Sequence, residues 1–106
     1  MNRRYQRTSL RTQIWLGQDG IFTKSPDTLR DLSERGAFIQ TQQQFNRGSI
    51  LHLRFQLPCS DRLMSSTVIV RNRRDCEGVG VEFLDLTLQD RAELRKFVGE
   101  PVARVA

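Results

Sequence analysis

The 106-residue chain is predicted to be mostly β, a six-stranded antiparallel β-barrel followed by one C-terminal α-helix. Three features of the sequence carry this expectation. Short stretches of alternating apolar and polar residues recur along the chain and are broken by Gly, Pro, Asp and Asn. No strand–helix–strand rhythm separates them, which points away from a parallel sheet. Helical periodicity appears once, at the end, and many short strands are best protected by closure, which removes their exposed edges.

From Ser9 to Leu16, Leu10, Thr12, Ile14 and Leu16 alternate with Arg11, Gln13 and Trp15, as in a strand with one buried face. Gly17-Gln18-Asp19-Gly20 is a turn by composition. A second strand begins at Ile21–Thr23, breaks near Ser25-Pro26-Asp27 and resumes toward Asp31; Pro26 cannot donate to a ladder, so an edge or bulge is expected there. After a turn at Ser33–Gly36, Ala37–Gln40 reads as a short third strand, and the polar segment Thr41–Gly48 as a loop. The clearest alternation follows, with Leu51, Leu53, Phe55 and Leu57 against His52, Arg54 and Gln56, ended by Pro58. A fifth strand is expected over Ser65–Asn72 with Val68 and Val70 inward and Thr67 and Arg71 outward, and a sixth over Val79–Phe83. Thr87 with Asp90 three residues on resembles a capping box. Leu94, Phe97 and Val98 then share a helical stripe, and Gly99 and Pro101 stop the helix. The expected layout is one domain over 1–106, with an Arg-rich arm at 1–8, the barrel at 9–86 and the helix at 87–99.

Composition narrows the function. A hydrophobic content of 38% and a charged content of 27% suit a soluble globular chain. No apolar run reaches the roughly 20 residues that span a bilayer, so membrane insertion is not expected. The amino terminus lacks a secretory pattern, so a cytoplasmic location and free thiols at Cys59 and Cys76 are expected. With two cysteines and the single His52, a zinc site of about four N/S ligands is hardly attainable, and no acid/base pair or nucleophile constellation marks an enzyme. No metal or cofactor is expected.

The net charge is +5, and lysine contributes only Lys24 and Lys96. The rest is arginine, whose planar fork pairs bidentately with phosphate and with the O6/N7 edge of guanine and stacks on bases. Arg3, Arg4 and Arg7 cluster ahead of the first strand, where mutual repulsion would be relieved by a dianionic ligand. Asp31 and Ser33, two apart on an extended segment, point the same way and suit one base: the carboxylate accepts from guanine N1–H and N2–H, and the hydroxyl donates or accepts beside it. Gly36 permits a positive φ or a close backbone approach. The plainer alternatives are a basic tail, a Ser/Asx turn between two strands and arginines that merely coat a small barrel.

Arg3-x-x-x-Arg7, followed by Asp31-x-Ser33-x-x-Gly36 and then Gly78-Val79-Gly80-Val81-x-Phe83, resembles a PilZ domain over almost the whole chain. PilZ domains are six-stranded barrels, and many are bacterial receptors for cyclic di-GMP. The resemblance implies that Arg3 and Arg7 contact guanine Hoogsteen edges and phosphates, with Arg4 stacking or neutralising charge between them. It implies that Asp31, Ser33 and Gly36 recognise the other guanine edge and shape the barrel surface, and that Arg71 lies near a position from which a side chain stacks on a base. One ligand or a stacked pair per chain remain alternatives. With no further domain expected on either side, the resemblance implies an adaptor whose ligand-ordered arm signals to an effector protein. Two competing readings are a small barrel that binds single-stranded nucleic acid, for which an exposed stacking row is lacking, and a PilZ-like protein-interaction scaffold without nucleotide binding.

Overall fold

The computed structural model describes residues 8–18, 21–57 and 62–98, with side chains at 12–17, 28–57 and 62–98. Six strands, β1 (Thr8–Gln18), β2 (Ile21–Leu32), β3 (Gly36–Gln40), β4 (Ile50–Gln56), β5 (Leu63–Arg74) and β6 (Gly78–Phe83), precede the helix α1 (Leu88–Phe97). They form a closed antiparallel barrel in the order β1-β2-β3-β6-β5-β4, so each described strand is paired on both sides.

Period-two alternation builds the interior. Leu51, Leu53 and Phe55 on β4, Met64, Val68 and Val70 on β5, and Val79, Val81 and Phe83 on β6 are buried in one cluster with Ile14, Leu29, Leu32 and Ile39. Phe55 and Phe83 meet in an offset stack with ring centroids 6.2 Å apart. The inward positions expected on β4 and β5 are those observed, as are Ile14 and Leu16 on β1.

Strand lengths differ from the expectation in one instructive way. β2 is a single strand through Pro26, and the irregularity is absorbed by a register shift against β1 between Gln13 and Trp15, where Gln13 faces Thr28 and Trp15 faces Lys24. Two further bulges are invisible in the hydrophobic pattern. Leu29 pairs with Ile39 but Asp31 pairs with Phe38, leaving Arg30 as an extra residue. Likewise Val70 pairs with Val81 but Asn72 pairs with Gly80, leaving Arg71 extra. A bulge sets two consecutive side chains on one face, so Arg30-Asp31 and Arg71-Asn72 all avoid the core.

The helix begins where its capping residue predicts. The Asp90 N–H donates to Thr87 Oγ1 at 3.0 Å, and Arg95 and Lys96 lie in the last turn, where cations suit the helix dipole. Leu94 is fully buried in the barrel's cluster and Phe97 packs against it. Arg62 Nε donates to Asp90 Oδ1 at 2.6 Å, and Arg91 donates to the Glu34 carbonyl at 3.2 Å. α1 therefore sits at the barrel end that holds the β2–β3 turn and the entry to β5. Gly99 and Pro101 lie outside the described residues.

Candidate functional site: the β2–β3 corner and its outer face

Asp31, next to last in β2, lies on the outer face opposite Phe38 of β3. The chain then turns through Ser33, Glu34 and Arg35 and re-enters the barrel at Gly36. Ser33 is only 2% exposed, because its hydroxyl is folded into the turn. Ser33 Oγ accepts from the backbone N–H groups of Arg35 at 3.3 Å and Gly36 at 3.2 Å, and it donates to the Gly36 carbonyl at 3.3 Å. The Ser33 N–H donates to that same carbonyl at 2.9 Å. Asp31 and Ser33, expected to face one base together, are thus given different work by the geometry: the carboxylate on the outer face, the hydroxyl inside the corner.

Gly36 is required by a close approach and not by a positive φ. A Cβ at this position would collide with the Val81 carbonyl and lie 3.2 Å from the Glu82 Cα, both backbone atoms of β6. The two strands meet there because Gly36 faces Glu82 across the ladder.

The residues between the motif positions fasten the corner on two sides. The Glu34 carboxylate accepts from Arg95 of α1 at 3.1 and 3.5 Å, while its carbonyl takes the Arg91 bond. The Arg35 carbonyl accepts from the Phe83 N–H at 2.9 Å. Its guanidinium donates to Glu82 Oε2 at 3.1 Å, and Arg71 donates through Nε to Glu82 Oε1 at 2.8 Å. Hydrogen bonds from Arg71, then from Arg35, hold the Glu82 carboxyl below its ordinary value of 4.5.

Farther along the same face Phe38, 6% exposed, points away from the core and is covered by cations. The Arg30 guanidinium carbon lies 4.3 Å and that of Arg74 5.5 Å from the ring centroid. Glu77 lies 4.0 Å from Arg30 and 3.9 Å from Arg74. The face thus carries the Asp31 carboxylate on a strand, a set of arginines paired with Glu77 and Glu82, and a floor thinned by Gly36 and Gly80. Such a surface suits a planar, anionic ligand with hydrogen-bond donors on one edge.

Arg3, Arg4 and Arg7 lie outside the described residues. Their point of attachment does not. Thr8 faces Leu32 and Ser9 faces Asp31 across the β1–β2 ladder, so the chain enters β1 beside the corner. Glu82 pairs with Gly36 on one side and with Ile69 on the other, and Arg71 lies on the β5 bulge two residues beyond Ile69. Phe38, Arg30, Arg35 and Glu82 were not singled out from the sequence. Their convergence depends on two bulges and on pairings across up to 47 residues, which no local spacing reveals.

The PilZ domain family model matches residues 1–100. The chain belongs to the PilZ domain family. A structure of the Bacillus subtilis inhibitor of motility (MotI/DgrA) superimposes with a TM-score of 0.76 at 19% identity, covering 92% of this chain and 50% of that one. The PilZ chain therefore spans about half the length of that neighbour, with which it shares the barrel fold. Among curated proteins no relative matches the sequence. Among the described residues no helix of this PilZ domain is long and apolar enough to cross a membrane, and no group of three or more His, Cys, Asp or Glu could hold a metal ion.

Proposed function

We propose that this PilZ domain is a non-catalytic cyclic di-GMP receptor that acts in the bacterial cytoplasm as an adaptor for an effector protein. The observation that carries the reading is the β1–β2 register. Thr8, the residue after Arg7 in the sequence, stands opposite Leu32 beside the corner. Arg3 is five residues upstream of Thr8, a reach of at most about 18 Å, enough to cross the width of three strands at about 4.8 Å spacing. A reach of that length supports the reading that Arg3, Arg4 and Arg7 serve the same ligand as Asp31.

In this reading the arm closes over the dinucleotide. Arg3 and Arg7 supply charge-assisted contacts to phosphates and to guanine O6/N7, and Arg4 neutralises or stacks. Asp31 accepts from the N1–H and N2–H of a guanine laid on the outer face. Ser33 and Gly36 shape the corner, and Arg71 presents a guanidinium plane from its bulge. The signal is an order change in the arm, read by a partner protein. The nucleic-acid alternative finds less support, because among the described residues Phe38 of this face is covered by Arg30 and Arg74 and is not open for a base to stack on.

Calorimetry tests the reading. The protein should bind cyclic di-GMP in preference to GTP and cyclic di-AMP. Arg7→Ala and Asp31→Ala should each weaken binding by about 5- to 150-fold, the equivalent of about 1–3 kcal/mol for a lost charge-assisted contact. Unaltered affinity in both variants, with the fold intact, would remove arm and corner from the site. The endpoint of the same titration separates one ligand from a stacked pair.

A further inference from the structure

The two guanidinium groups beside the corner are already bridged by an anion that belongs to the chain. Arg35 reaches one oxygen of Glu82 at 3.1 Å and Arg71 reaches the other at 2.8 Å. The bridge forms because Glu82 stands opposite Gly36, where no side chain intervenes, and because the β5 bulge sets Arg71 on the same face. All three groups are open to solvent: the side chains of Arg35, Arg71 and Glu82 are 51%, 56% and 28% exposed. The bonds from Arg71 and Arg35 lower the Glu82 pKa, so the bridging group is a carboxylate at neutral pH.

A carboxylate and a phosphate present the same paired oxygens to a guanidinium fork. We propose that Glu82 is a specificity-determining residue, a resident anion that fills the phosphate seat between Arg35 and Arg71 and yields it only to a ligand held by further contacts. Magnitudes support this division. Exposed ion pairs are each worth about two- to fivefold in an equilibrium constant, so two of them suffice to disfavour a small phosphate with no other anchor. They are too weak to exclude a dinucleotide that also engages the arm and Asp31. The identity of the natural occupant rests on the receptor reading above; the phosphate chemistry of the seat does not.

Titration of the wild-type chain and Glu82→Gln with inorganic pyrophosphate, and separately with cyclic di-GMP, tests the assignment. Glu82→Gln should bind pyrophosphate about five- to twentyfold more tightly than wild type, narrowing the preference for cyclic di-GMP. Adding Arg35→Gln to that variant should return pyrophosphate affinity to the wild-type level or below. Because Glu82 is partly exposed, the variant should melt cooperatively near the wild-type temperature. Pyrophosphate affinity that is unchanged or weaker in the folded Glu82→Gln variant, or a gain that survives Arg35→Gln, overturns the assignment. Failure of wild type to bind cyclic di-GMP would defeat the receptor reading alone, and the pyrophosphate comparison would still decide the role of Glu82.

Discussion

Ser33 shows how much a single hydroxyl can hold in place. Removing it leaves the Arg35 and Gly36 amides without their acceptor in a buried turn, so Ser33→Ala should lower stability by about 1–3 kcal/mol in urea denaturation. Gly36→Ala should cost a similar amount, about 1–3 kcal/mol, because the new methyl meets β6 backbone that can yield only by parting the strands. Two carboxylates set the acid limb. Burial alone would raise Asp85, but the Thr67 N–H, the Ser66 and Thr67 hydroxyls and the charge of His52 outweigh it and hold Asp85 below its ordinary 3.8. Glu82 is likewise held low by its arginines. Groups with depressed folded-state values contribute stability above their unfolded values, and the contribution is lost as pH falls through the folded ones. The urea midpoint should therefore be insensitive to these two groups near neutrality and fall below about pH 4, with a shallower fall in Asp85→Asn. An unchanged acid limb in that variant would contradict the assigned hydrogen bonds. At this scale the motif residues Asp31, Ser33 and Gly36 were legible as a turn with a carboxylate. The inward fold of the Ser33 hydroxyl was not, because it depends on turn geometry and not on strand alternation.

Among the elements, α1 joins the corner to the core. Leu94 anchors it in the barrel cluster, while Arg91 and Arg95 grip Glu34, whose side chain is 17% exposed. The apolar anchor should dominate. Leu94→Ala should cost about 2–5 kcal/mol, whereas Arg95→Ala should cost less than about 1 kcal/mol yet accelerate amide exchange at Ser33–Gly36. Equal stability losses in the two variants would mean that the ion pair carries the docking. The helix start, the β4 alternation and the inward face of β5 were readable because each follows from a local period or cap. The bulges at Arg30 and Arg71 were hidden, since a bulge is a property of two strands paired and leaves no trace in one.

For the whole molecule, barrel closure explains why the site lies where it does. Antiparallel order brings the start of β1, the β2–β3 turn, the end of β6 and α1 to one end, so Thr8, the Asp31 carboxylate and a bolted helix come together although none of them is adjacent in sequence. The amino-acid pattern anticipated six strands and a helix. It could not anticipate that the start of β1 lies beside the corner, because long-range register decides it. The most direct test is a ¹⁵N-resolved NMR titration of the full chain with cyclic di-GMP. Saturable shifts should concentrate at Thr8, Asp31–Gly36, Phe38 and Arg71, with new order in the arm's amides. No saturable shift, or shifts confined to β1 and β4 around Trp15 and Arg54, would contradict the account.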